Sequence, residues 1–466
     1  MTVKVVCLAL LAAGFALAQD QPLEWNQQGE QDQAAENGEH RDLPVQLQDA
    51  AESPSILSRE NALRTPGQGR LIGFRFYGEI TGIYDSGLTP LISEGQEKAT
   101  KGTPGEGMEA GVGIIGSRAG RHYKLSLEYK GRYRQYTDDP LISGTDQFLR
   151  MDYRSFLTEH VVLDFNNTLG TATLANNDLE FWLGGGTNFG LPVNEMFDNR
   201  TNYLQSRIDM TWDATRRLSF GVGGQGFIVR RDSHALAGLS GYDARSDIAY
   251  RITKHQTISA SYEYASFDFQ HTFGDAALQI AAAGYSVQFS RASELDIQAG
   301  TIQSESRSLN QIPLDPVVAA ILGQTTAIVT SSRTIYLPLA ELRFVRRLRR
   351  SEFVGTFSKT VSPGNGVYLT SRETSGVLSF SYAGYRRIAV TFHTGSGQLS
   401  PVDQNIGNYT NWRLGAKMTY SLARDAFLDL QYEYRRYTTQ QLGLGMDSHR
   451  VAVGIAFSSG ASPVTF

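Results

Sequence analysis

Three glycines in FGVGGQG, Gly221, Gly223 and Gly226, carry the GxGxxG spacing, and Asp243 follows near the distance at which an acid would meet a ribose. That fingerprint works only where a strand ends and a helix opens onto a pyrophosphate. Here Leu218, Phe220, Val222 and Phe227 to Arg231 continue an extended pattern around the glycines. They therefore read as curvature or close backbone contact inside a strand. The eight histidines show no HExxH or other ligand spacing, so no metal site is expected. His160 and His393 are candidates for a serine hydrolase at a lipid boundary or for solvated turn and lumen residues, and no spacing identifies a partner. Cys7 is the only cysteine. It falls in a leading apolar segment, so thiolate catalysis, disulfides and Cys–metal sites are not expected in the rest of the chain. No cofactor and no catalytic residue are assigned.

The charged residues carry a stronger pattern. In Arg121 to Tyr136, RHYKLSLEYKGRYRQY, Tyr123, Leu125, Leu127, Tyr129 and Tyr133 share one face of an extended chain, and Lys124, Ser126, Glu128, Lys130, Arg132 and Arg134 share the other. Successive side chains of a strand point to opposite faces, so this segment has one oily face and one charged face. A tilted membrane-crossing strand needs about 9 to 11 residues, with lipid on one side and a watery lumen on the other. The same alternation places Arg150, Asp152, Arg154, Arg207, Asp209, Arg245, Asp247, Arg251, Asp296, Arg413, Lys417, Asp429, Glu433 and Arg435 on the lumen face. These residues are candidates for lining an aqueous pore and tuning its ion preference. The alternative is that they pair across the lumen and fill it.

The elements that position them are strands. Eighteen candidates run from Leu71 to Ser458, and about a dozen alternate cleanly. Trp412, Leu414, Ala416, Met418 and Tyr420 oppose Arg413, Gly415, Lys417 and Thr419. Connections alternate between short turns, such as Arg118 to Gly120 and Ala423 to Asp425, and longer loops. The largest loops are expected at Asp85 to Gly107, Leu174 to Thr201 and Arg307 to Arg333, and Leu183 to Gly190 reads as a flexible loop. Short turns at one end, long loops at the other and an even number of strands define the expected fold: an all-β, transmembrane, antiparallel up-and-down β-barrel of about 18 strands. Closure leaves no unpaired edge, which a membrane requires.

Composition agrees with this architecture. The 466 residues include 47 Gly, 22 Tyr and 23 Phe with only 14 Pro, and 41% are hydrophobic. Beyond residue 18 no apolar run is long enough for a spanning helix. The net charge of −4 gives no nucleic-acid footprint. Residues 1–18, with Lys4, an apolar core from Val5 to Leu17 and Ala16-Leu17-Ala18, read as a secretory signal. Residues 19–69 carry ten Asp or Glu against three Arg and no sustained period. They read as a disordered acidic periplasmic arm, or alternatively as a segment that docks a periplasmic or export partner. Residues 70–460 form the barrel, and 461–466 a short tail.

The signal, the acidic arm, the opening strand GEITGIYDSGL (Gly78 to Leu88) and the meander of hairpins resemble the outer-membrane β-barrel porins of Gram-negative bacteria, in particular the porin-like families linked with exopolysaccharide gene clusters. The final strand, Val451, Val453, Ile455 and Phe457, is similar to their assembly signal, although Ser458 to Thr465 follow before Phe466. The resemblance implies outer-membrane location, contact with lipid and lipopolysaccharide, and delivery by the barrel-assembly machinery. The expected function is passive diffusion or export of small polar solutes or saccharides through a pore. Two alternatives stay open: a structural or partner barrel of an exopolysaccharide export system, and a barrel hydrolase. Within the loop Arg307 to Arg333, the apolar stretch Ile312 to Val329 is expected either to fold inward as a constriction or to cap neighbouring loops.

Overall fold

The computed structural model describes residues 73–87, 104–137, 143–173, 189, 200–313, 324–383, 387–402, 406–423, 425–439 and 445–459. Their regular elements are eighteen strands: β1 (Gly73–Asp85), β2 (Gly105–Ala119), β3 (Tyr123–Tyr136), β4 (Gly144–Phe156), β5 (Val161–Ala172) and β6 (Thr201–Asp213). β7 (Leu218–Arg231), β8 (Gly238–Thr253), β9 (Gln256–Gln270), β10 (Gly274–Ser290), β11 (Ser293–Pro313) and β12 (Thr326–Arg347) come next. β13 (Ser351–Ser362), β14 (Ser371–Tyr382), β15 (Ile388–Pro401), β16 (Tyr409–Ser421), β17 (Ala426–Thr439) and β18 (Gly445–Ser458) complete the chain. Each strand pairs antiparallel with its sequence neighbours, and β1 pairs with β18 from Tyr77↔Ser458 to Asp85↔Arg450, so the sheet closes on itself. The signal, the arm and the C-terminal tail expected from sequence lie outside the described residues.

Closure gives every strand an inside and an outside. A side chain on a single-layer sheet can be shielded from solvent only on the concave side, so the buried half of each alternating pattern marks the interior. In β18, Ser448, Arg450, Ala452, Gly454 and Ala456 are buried while Val451, Val453, Ile455 and Phe457 are exposed. The outer surface is a continuous apolar belt, with Val112 62% and Ile455 60% exposed. Aromatics ring both of its rims. Phe74, Phe76, Trp212, Tyr250, Phe289 and Phe457 stand at the short-turn end; Tyr84, Tyr133, Tyr242, Tyr336, Trp412 and Tyr432 stand towards the loop end. On β1 the rims are set by Phe76 and Tyr84, and eight residues at roughly 3.3 Å each, tilted by about 40°, span some 20 Å. An apolar band of that height between aromatic girdles suits the hydrocarbon layer of a bilayer.

Two expectations are corrected. The predicted loop from Arg307 to Arg333 is largely strand: β11 and β12 stay paired from Ser293↔Arg346 up to Pro313↔Thr326. The apolar stretch Ile312 to Val329 enters this hairpin at both ends, while its residues 314–323, and with them the expected constriction or cap, lie outside the described residues. Its Val, Ile and Thr content favours strand over loop once a partner of equal length is adjacent. The sorting of loops by length also has an exception, since β9 and β10 are joined by residues 271–273 alone. His271 takes φ 64° there, the left-handed conformation that a tight turn demands. The glycines of FGVGGQG lie within β7, as their extended surroundings indicated. A Cβ on Gly221 would meet the Asp247 carboxylate, and one on Gly223 would meet Asp209, so these positions make room for acids on neighbouring strands.

Inserting one residue after Ser126 should send Tyr129 and Tyr133 inward and Lys130, Arg132 and Arg134 into the belt. The expected outcome is loss of the folded, heat-modifiable band on gel electrophoresis; a variant that still assembles would contradict the sidedness of β3.

Candidate functional site: the barrel interior and its mouth

Register and burial place every candidate pore residue on the inner face. On β3, Lys124, Glu128, Lys130, Arg132 and Arg134 share the face of Glu109 and Gly111 of β2. Arg150, Asp152 and Arg154 of β4 oppose Glu128, Ser126 and Lys124. Arg207 and Asp209 of β6 oppose Asn166 and Asp164 of β5. Arg413 and Lys417 of β16 oppose Arg435 and Gln431 of β17, whose inner face also carries Asp429 and Glu433. Arg245, Asp247 and Arg251 of β8 and Asp296 of β11 share the same side.

These charges are organised as pairs along the wall. Arg450 Nη2 donates to Glu109 Oε1 at 2.6 Å, reaching across β1. Arg435 meets Asp85 at 3.4 Å and Glu433 at 3.6 Å, while Ser448 Oγ donates to the other oxygen of Asp85. Arg132–Glu79 (3.6 Å), Lys130–Glu128 (2.8 Å) and Lys417–Asp429 (3.9 Å) extend the row. Arg134 reaches Thr173 at 2.9 Å, which in turn donates to Asp146 at 3.2 Å. Further round, Arg150–Asp152 (2.9 Å), Arg154–Asp164 (2.5 Å) and Arg207–Asp209 (2.7 Å) line β4 to β6, and Arg245 also holds Asp209. Arg343 of β12 faces Asp296 at 3.7 Å. Each of these pairs joins residues on one strand, on neighbouring strands, or on strands one apart. They run along the wall, and none of them bridges opposite walls.

Sequence reasoning missed Asp85, Glu79, Glu109 and Arg450, partners that complete this row. The signal for Arg450 was present: if Val451 and Val453 face out, Arg450 must face in. Sequence reasoning also missed the apolar cluster on the opposite wall. Phe227, Phe267, Leu278, Ile280, Ile302, Leu337 and Leu339 are buried on the inner faces of β7 to β12. Phe189, from the connection between β5 and β6, is only 2% exposed and stacks its ring 6.0 Å from both Phe227 and Phe267. It falls in the stretch expected to be a flexible loop. Strands such as β10, apolar on both faces, have no alternation from which an inside could be read.

The loop end is covered. Leu236, between β7 and β8, packs with Tyr368, between β13 and β14, and with Leu399, Tyr409 and Tyr437. β8 and β17 stand half the barrel apart in strand order, so this cluster, linked by the Tyr368–Tyr409 and Tyr409–Tyr437 ring contacts, reaches across the mouth. Ala237 N donates to Gly366 O at 3.0 Å, and Arg231 donates to Ala237 O. Asn365 Oδ1 accepts from Tyr368 N at 3.1 Å and folds its loop tightly. Gly364 has φ +78°, and a Cβ there would collide with Tyr368 O. Tyr368 is fully buried, and burial pushes its hydroxyl above the usual tyrosine pKa.

Other chemistry finds no assembly. The His393 ring lies over Gly415, and among the described residues no hydrogen bond joins it to a serine, although Ser379 is opposite in register. His160 lies exposed in the turn between β4 and β5. No group of three or more His, Cys, Asp or Glu that could hold a metal occurs among the described residues.

The fold and interior define a closed 18-strand antiparallel barrel, apolar outside and charged along one inner wall. Several solved structures are similar in outline. A BenF-like porin from Pseudomonas fluorescens Pf-5 shares 11% identity over 84% of this chain and 100% of that one, with a TM-score of 0.42. Pseudomonas aeruginosa OccK5 (OpdH) shares 12% over 83% and 98%, with a TM-score of 0.39. Pseudomonas aeruginosa OprD shares 10% over 83% and 95%, with a TM-score of 0.38. At these values the likeness assigns no solute. No family model and no curated protein matches the chain.

Replacing Glu109 by glutamine should remove the carboxylate that Arg450 Nη2 hydrogen-bonds, leaving Glu433 and Asp85 as its nearest acids, and cost on the order of 1–3 kcal/mol. Urea unfolding in detergent micelles or lipid measures this loss. The double variant Glu109→Gln/Arg450→Met should recover most of it.

Proposed function

We propose that this protein is a pore-type barrel of a Gram-negative outer membrane that passes small polar solutes or saccharides. The observation that carries this reading is the sidedness of the closed sheet. An apolar belt between aromatic girdles faces outward, and the ion pairs described above run along the inner wall rather than across it. Short turns and both ends of the barrel then lie in the periplasm, and the longer loops lie outside the cell. Barrels of 16 to 18 strands are wide enough for an aqueous channel, and paired charges of both signs give a polar wall without a large net field. The belt contacts lipid and, on the outer leaflet, lipopolysaccharide.

The cap formed by Leu236, Tyr368 and Tyr409 makes this a gated pore with its resting mouth narrowed. It also supports a second reading, in which the barrel stays closed and serves as a structural or partner component of a polysaccharide export system through residues 19–69.

In planar bilayers the purified protein should give small stepwise conductances. Leu236→Ala together with Tyr368→Ala should enlarge the steps by removing the contact that crosses the mouth. Inserted, folded protein without steps in either form would overturn the pore reading and favour the partner role.

A further inference from the structure

The barrel wall has a seam at β12 and β13. Their ladder runs only from Arg347↔Glu352 to Ala340↔Lys359, the shortest among the described residues, although β12 continues to Thr326 and β13 to Ser362. Its cause is written in the chain. In a strand, alternate residues aim both backbone groups to opposite sides. Arg347 N donates towards β11, to Ala292 O, and Leu348 N donates towards β13, to Ser351 O, so even-numbered residues of β12 serve β13. The next even residue above Ala340 is Pro338, which has no N–H to give to Val361. The ladder stops there.

The depth of the seam matters. Phe344 marks the short-turn girdle on β12, its ring tilted against that of Phe353 at 6.0 Å, and Tyr336 marks the other. Ala340 is midway, so β12 and β13 part within the outer half of the belt, where an unpaired strand edge facing hydrocarbon is unfavourable. On its inner side the seam is lined by Leu337 and Leu339, part of the apolar cluster, and Val361, which has the outward parity of Phe357 on β13, is buried in the same cluster. Two hydroxyls, Thr360 Oγ1 beside the seam and Ser304 Oγ on β11, are buried with no hydrogen-bond partner among the described residues. The axial mouth, by contrast, is narrowed by the cluster of Leu236, Tyr368 and Tyr409.

We propose that this seam is a lateral portal, through which a single-chain amphiphile with an apolar tail and a small hydrogen-bonding head passes between the lumen and the outer leaflet. Leu337 and Leu339 accept the tail, and the hydroxyls of Ser304 and Thr360 accept or donate to the head. The portal rests on the membrane reading above and not on passage of polar solutes.

The test uses the full barrel with Cys7→Ser, reconstituted in liposomes containing a diazirine-tagged fatty acid, with insertion checked by heat-modifiable migration. After photolysis, mass spectrometry should find adducts on inward residues such as Leu337 and Leu339. Labelling there should be lost in Pro338→Val, which restores the donor, and in Leu339→Cys/Thr360→Cys when oxidised, returning on reduction. Adducts confined to outward Tyr336 and Leu342 in the inserted wild type, or inward adducts that survive the oxidised bridge, would overturn the portal. Failure to insert would instead count against the membrane reading itself.

Discussion

Backbone hydrogen bonding in a single closed layer is the constraint on which the rest of this structure depends. With hydrocarbon-compatible side chains on one face, no N–H or C=O of the belt can rely on water, and each must be matched by a neighbouring strand. The pairing of β1 with β18 removes the last edges of the sheet at the short-turn end. Once closed, the two-residue period of the strand sorts side chains without further choice. Arg450 and Ala452 go inward because Val451 and Val453 go outward, and the same logic holds on β3, β16 and β17.

Within that shell the two walls solve different problems. Across β15 to β18 and β1 to β6 the interior is ionic, and buried guanidiniums such as those of Arg435 and Arg450 are held beside carboxylates one or two strands away. Desolvating such groups is costly, and they persist because each has an anion in reach. Across β7 to β12 part of the interior is built like a soluble core, with Phe189 inserted against Phe227 and Phe267, beside inward charges such as Arg245, Asp296 and Arg343. A lumen with one ionic and one partly apolar wall offers an amphipathic molecule a polar track and a greasy one side by side.

The cap and the seam both follow from local backbone chemistry. Gly364 and Gly366, both with positive φ, let the loop after β13 turn back over the mouth, where side chains with a Cβ would collide with Tyr368 O or Arg231. Pro338 does the reverse on β12, ending a ladder by withholding one donor. Small departures from the regular strand, at a few positions, decide where a closed sheet is shut and where it is weak.

Much of the fold was legible in the chain. Alternation over Tyr123 to Tyr133 and Trp412 to Tyr420, eighteen extended segments and mostly short turns at one end determined a barrel, its strand count and the faces of its charged residues, because the period of a strand is local. Residues far apart in sequence decided the rest. Which acid holds Arg450, that Phe189 enters the interior, that Leu236 and Tyr437 join one cluster at the mouth, and that β11 and β12 stay paired up to Pro313 and Thr326 were set by which strands stand beside or opposite one another. Strands apolar on both faces, such as β10, carry no alternation, so only closure of the sheet could assign their inner side. Pro338 was visible throughout, but its effect depends on which neighbour its missing N–H would have faced, and register alone supplies that.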